Sequence, residues 1–175
     1  MSSAVAVTPD GAISNISVQD MVEKASFDTY ILAEDPYWTN HRTIVDLPDT
    51  MSAPKRMFVV MYMAQDNRHV ILAQSETHNK YMNTLKKQIE AHGDKVNETT
   101  YKNGCKVWAN PGPVSWWTDL TLRLSGIEPA KDRSGYIVES PSDTIVLITV
   151  NGQLTKEELD GLVNSLIPAK EYEVK

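Results

Sequence analysis

"MFVVMYMAQDNRHVILAQ", Met57 to Gln74, holds two strongly apolar runs separated by Gln65, Asp66 and Asn67. Asp and Asn tolerate turn conformations, so the stretch predicts two antiparallel strands joined as a hairpin. Successive strand side chains point to opposite faces. Met57, Val59, Met61 and Met63 therefore share one face, and Phe58, Val60, Tyr62 and Ala64 share the other. Both faces are apolar. A single layer of helices covers one of them, so the second needs a cover of its own or forms a groove.

The same two-sided pattern returns in "TIVLITVNGQLTKEELDGLVNSLIP", Thr144 to Pro168. Ile145, Leu147 and Thr149 alternate with Val146, Ile148 and Val150, and Asn151 and Gly152 then break the strand. Thr155 and Glu158 have the T-x-x-E spacing of a capping box, with Leu154 and Leu159 placed as a hydrophobic staple. Leu159, Leu162, Val163 and Leu166 recur at helical spacing, so a helix with one buried stripe is predicted, ended by Pro168. This segment is framework, a central strand and the helix that seals one of its faces.

Upstream, Ser17 and Asp20 open a short predicted helix, "SVQDMVEKA", whose Val18, Met21 and Val22 form its apolar stripe. "RTIVDL" reads as a strand. "HNKYMNTLKKQIEA" places Tyr81, Leu85 and Ile89 at steps of four, which predicts an amphipathic helix stopping at Gly93. Asn103-Gly104 between "KVNETTY" and "CKVWAN" signals a hairpin. "GYIVES" and "TIVLITV" make a last hairpin around Ser140 to Asp143. Residues 114–124 fit a helix through Trp116, Leu120 and Leu124, and a strand through Leu120, Leu122 and Leu124; the helix is preferred. Hairpin-joined strands with interspersed helices predict an α+β fold, one domain over residues 1–175 with an antiparallel sheet packed on helices and residues 1–14 flexible.

Composition narrows the function. The chain has 175 residues, 41% hydrophobic and 23% charged, enough for one sizeable core. A net charge of -6 argues against nucleic-acid binding, which needs clustered Lys and Arg. No segment approaches the roughly 18 consecutive apolar residues of a membrane-spanning helix. The N-terminus lacks the features of a secretory signal. The single cysteine, Cys105, excludes an internal disulfide and reads as inert packing.

No catalytic motif is present: no G-x-S-x-G, no P-loop and no G-x-G-x-x-G. His41, His69, His78 and His92 are scattered without metal-ligand spacing, so neither a metal nor another cofactor is expected. Asp46 and Asp49, like Glu157 and Glu158, read as solvated carboxylates. Two Asn-x-Ser/Thr triplets, at Asn15 and Asn97, are what chance supplies. What remains is the Met-lined face. Methionines adapt to irregular partners, so Met57, Val59, Met61 and Met63 are candidate ligand-binding residues, the alternative being a core closed by other helices or a second subunit. Trp116 and Trp117 cannot both face inward on a helix, so one of them is a candidate anchor for a ligand or partner protein.

The runs "SVQDMVEKASFDTYILAEDPYW", "HVILAQSE", "CKVWA" and "DTIVLITVNGQLTKEELDGLVNSL" together resemble an uncharacterised family of bacterial and archaeal extracytoplasmic domains. These occur in lipoproteins and as the outer portion of some anti-sigma factors. The family is similar in architecture to lipoprotein-carrier and periplasmic sigma-regulator domains, which implies a curved sheet wrapping helices and an extracytoplasmic location. It implies no catalytic residues. The sequence departs from it in showing no lipobox or anchor and in the added length of residues 114–135. The expectation is a noncatalytic sensing or binding domain for an apolar ligand or lipid, with a protein-interaction module as the alternative.

Overall fold

The computed structural model describes residues 14–33, 41–47, 57–63, 66, 68–75, 87, 97–109, 122–123 and 126–172. The strands are β1 (Ser14–Asn15), β2 (Tyr30–Leu32), β3 (His41–Leu47), β4 (Met57–Met63), β5 (His69–Ser75), β6 (Asn97–Thr100), β7 (Lys106–Ala109), β8 (Ser134–Glu139), β9 (Ile145–Val150) and β10 (Leu166–Pro168). Two helices, α1 (Val18–Lys24) and α2 (Lys156–Asn164), complete the described elements apart from a 3-10 turn at Ala169–Glu171. One eight-stranded sheet runs β1-β3-β4-β5-β9-β8-β7-β6, and a second sheet pairs β10 with β2. Every pairing is antiparallel. The fold is α+β, and β9 lies inside the large sheet.

Each helix begins where the sequence places it. Ser17 accepts from the Asp20 amide while Asp20 accepts from the Ser17 amide, and Thr155 and Glu158 do the same for α2. These reciprocal bonds satisfy amides that have no partner within the helix. Val18 and Met21 of α1 and Leu162 and Val163 of α2 then pack on the first sheet face, formed by Phe58, Val60 and Tyr62 with Val70, Leu72, Val146 and Ile148. Leu154 and Leu159 join this core from its margin.

The end of α2 differs from expectation. The helix stops at Asn164, not at Pro168, and Leu166 enters β10. Apolar spacing continues unbroken to Leu166, but its backbone pairs with Leu32 across the small sheet. The Asn103 amide, from the turn between β6 and β7, donates to the carbonyls of Val163 and Leu166 at 2.8 and 3.3 Å and so closes that end.

β2 was not legible as a strand. It hangs from the large sheet by two buried side chains. Gln74, fully buried, accepts from the Tyr30 amide at 2.6 Å and donates to the Tyr30 carbonyl at 2.8 Å. The Tyr62 hydroxyl accepts from the Leu32 amide at 3.0 Å, and burial pushes that phenol up to about 12. The opposite edge of β2 faces β10, with Ala33 donating to Ser165 and Ala169 donating to Thr29 just beyond the pair. The Thr144 hydroxyl donates to the Asp28 carbonyl, fixing the approach to the strand.

Asp46 corrects another expectation. It is not a solvated loop carboxylate but a buried residue of β3, 3.8 Å from the Lys24 ammonium. The predicted helix at residues 78–91 lies outside the described residues except for Lys87, which is helical and exposed.

A charged clamp joins the β4–β5 turn to α2. Arg68 donates to Asp66 at 2.7 Å, to the Gln153 carbonyl at 2.7 Å and, through both terminal nitrogens, to the Glu158 carboxylate. Gly152 makes room for it. Its φ of +147° disfavours any side chain, and a Cβ there would meet Arg68 Cδ at 3.2 Å. The Arg68 bonds and the Thr155 amide pull the Glu158 pKa down to about 2 from an ordinary 4.5.

Because the folded value is the lower one, the clamp stabilises the fold fully above the ordinary glutamate range. That stabilisation is lost as pH falls from about 4.5 toward 2. The two side chains are 19% and 24% exposed, so solvent screens the pair in part. Glu158→Gln should therefore cost about 1–2 kcal/mol at neutral pH. In urea titrations across pH, the gap between variant and wild type should close in that acid window. A gap that persists unchanged at pH 2 would show that the carboxylate charge is not what the clamp uses.

Candidate functional site

The second face of the large sheet is organised in rows set by register. Val45, Val59, Ala73, Leu147 and Ile137 form one row across five strands. Thr43, Met61, Ile71, Thr149 and Gly135 form the next. Met57, Val59 and Met61 are buried, at 5%, 3% and 9% exposure, and Met63 at the end of β4 is half-buried. Met57, Val59 and Met61 belong to a second apolar cluster separate from the helix-packed core, and Met63 shares their face by register. Trp116 and Trp117 lie outside the described residues.

The connection between β7 and β8 supplies part of the cover. Leu122 is helical, fully buried and part of the second cluster, with Ile127 packed at its edge. The turn after it explains this placement. The Ile127 amide donates to the Leu122 carbonyl at 2.9 Å and the Gly126 amide to the Arg123 carbonyl at 3.0 Å. With Gly126 at φ +74°, this is a Schellman helix end, in which the residue after the glycine folds back onto the last turn. The helical preference for this stretch thus holds at Leu122 and Arg123.

Asn151 straps the connection down. Its side chain accepts from the Ala130 amide at 2.7 Å and donates to the Glu128 carbonyl at 3.2 Å, and the Ser134 hydroxyl donates to the Gly152 carbonyl at 2.8 Å. Asn151 reads in the sequence as a strand breaker, and that signal could not reveal that its amide also holds the cover of the second face.

Among the described residues, one buried polar atom of this face stands out. The Thr149 hydroxyl is wholly buried among the second-face side chains and has no hydrogen-bond partner. On its β8 flank stands Gly135, which offers no side chain, and on its β5 flank Ile71, which offers no polar group. Nearly all buried polar groups in folded proteins are paired, and leaving one unpaired costs about 1–3 kcal/mol. Along the chain Thr149 is only one β-branched residue in a strand full of them.

A cleft of about 230 Å³ lies beside the end of α1, lined by Val22, Ala25, Phe27, Asp28, Thr29 and Lys170. It is small for a ligand pocket, and its one ammonium, on Lys170, is held by Asp28 at 3.3 Å. Cys105 is buried in the first core, and burial pushes its thiol up to about 11, which suits packing rather than nucleophilic attack. Among the described residues no three His, Cys, Asp or Glu side chains gather as metal ligands, and no helix is long and apolar enough to cross a membrane. Compared with known proteins, the chain matches no family model, no curated protein and no solved structure.

Proposed function

We propose that this chain is a noncatalytic binding domain that holds a small amphipathic ligand between the second sheet face and the β7–β8 connection. The observation that carries the reading is the buried, unpartnered Thr149 hydroxyl in the methionine-bearing layer of the second face. A ligand with one hydrogen-bonding group would satisfy that hydroxyl while its apolar body lies along Met61 and Ile71. Thioether side chains adjust to irregular shapes at little cost, which suits this role. In this reading the chain is one domain with a curved sheet, working outside the cytoplasm, as the resemblance to extracytoplasmic binding domains implies.

The test is Thr149→Val, which keeps shape and removes the hydroxyl. Without ligand, the variant should be more stable than wild type by about 1 kcal/mol, because an unpaired buried group is gone. With octanol or octanoate as probe, the wild-type melting temperature should rise, and the variant should bind about 2- to 10-fold more weakly, the worth of one neutral hydrogen bond. Native mass spectra showing no added mass, together with no thermal shift from either probe, would sink the reading. So would a variant that loses stability, since the hydroxyl would then be satisfied in the empty protein.

A further inference from the structure

Residues 127–133 lead from the helix end at Gly126 into β8 as a strap along the edge of the second face, and the side chain of Asn151 ties them down at two points. Asn151 accepts from the Ala130 amide at 2.7 Å in a half-buried bond and donates to the Glu128 carbonyl at 3.2 Å in an exposed one. It follows β9 directly, and its own amide extends the ladder to the His69 carbonyl at 3.0 Å. Strand alternation puts it on the face of Thr149, two residues and about 7 Å away. The far end of the strap runs through Ser134 into Gly135, the neighbour of Thr149 across the sheet. Strap and buried hydroxyl are therefore adjacent.

The strap has the construction of a segment that opens as one piece. The Ala130 carbonyl accepts from the Arg133 amide at 3.3 Å and from its guanidinium at 2.8 Å, which closes the turn on itself. Gly126, at φ +74°, has open space where a side chain would stand, so the backbone is free to swing there. Ile127 is half-buried at the edge of the second cluster, whereas Glu128, Lys131 and Asp132 are exposed. Little apolar burial and solvent-reached hydrogen bonds mark a local opening unit.

We propose that Asn151 is the latch of a gate: residues 127–133 swing from β9 when its two bonds break, and an amphipathic ligand reaches Thr149 through that opening. The gate serves the binding site proposed above and so rests on that reading. Because the latch holds the strap in the empty and the filled protein alike, it sets the rates of exchange and leaves affinity nearly unchanged.

The experiment compares full-length wild type and Asn151→Ala in two measurements, exchange kinetics of octanoate and tryptic cleavage after Lys131 and Arg133. Loss of two ordinary hydrogen bonds should raise strap cleavage and both the on- and off-rates of octanoate by about 5- to 100-fold. Kd should change less than about threefold, since the closed form stays the major one. Asn151→Asp keeps the acceptor for the Ala130 amide and loses the donor to Glu128, so it should fall between the two; it carries the test if the alanine variant does not fold. Far-UV circular dichroism and unchanged cleavage after Lys156, in α2, show that a variant is folded. A rise in off-rate alone, with weaker Kd, would overturn the latch, because the site itself would then be damaged. Octanoate that exchanges at the wild-type rate in a folded variant would overturn the gate and leave the binding reading standing. Octanoate bound by neither protein would overturn both.

Discussion

Replacing Gln74 with Leu should lower the unfolding free energy by about 2–5 kcal/mol, although Leu is the more hydrophobic residue. Gln74 is fully buried and meets both the amide and the carbonyl of Tyr30. Leucine leaves both backbone groups inside the protein without partners, each costing about 1–3 kcal/mol. Gain from burying extra apolar surface is small, because the side chain was already out of water. In a chain of this size the loss corresponds to a fall in Tm of about 5–15 °C. Gln74→Glu is the instructive companion. It keeps an acceptor for the Tyr30 amide but sets a carboxylate oxygen against the Tyr30 carbonyl, so at neutral pH it should be destabilised at least as much. Urea unfolding of both variants checks this; a change below about 0.5 kcal/mol for Gln74→Leu would mean that β2 is not suspended from this amide.

Leu122→Ala should cost about 2–4 kcal/mol, the usual range for truncating a fully buried leucine. The consequence should also be local. Leu122 is the described residue through which the β7–β8 connection enters the second cluster, so its truncation loosens the cover over Met57, Val59 and Met61. Hydrogen exchange in residues 126–133 should speed up more than exchange at Phe58 and Val60, whose side chains lie in the first core. Leu122→Met, which conserves volume, should lose less than about 1.5 kcal/mol and leave exchange nearly unchanged. Uniform acceleration across both cores would show that the two faces unfold as one unit and that the connection is not a separable cover.

Local chemistry was legible along the chain. The β4–β5, β6–β7 and β8–β9 hairpins, the strand at His41–Leu47 and the starts of α1 and α2 all follow from alternation, turn residues and cap spacing. The two apolar faces of β4 were legible for the same reason, since side-chain direction in a strand is fixed by parity. β2 was not, because three residues give no period and its partners, Gln74 and Leu166 to Pro168, are far away in sequence. The end of α2 was misjudged because Leu166 satisfies helical spacing and strand pairing equally well. Asp46 was misjudged because its burial follows from Lys24 and the first core, neither visible from its neighbours in sequence. Thr149 fits a strand whether or not its hydroxyl finds a partner.

By itself the sequence determined the hairpins, the helix starts with their caps and the two apolar faces of β4, because those depend on interactions within a few residues. Only the tertiary structure decided that β5 lies beside β9 and that Asn151 and Leu122 hold a connection over the second face. Strand order and register are chosen by the free energy of the whole packed chain. Which polar and soft side chains become neighbours across strands is a consequence of that choice, and no local pattern encodes it.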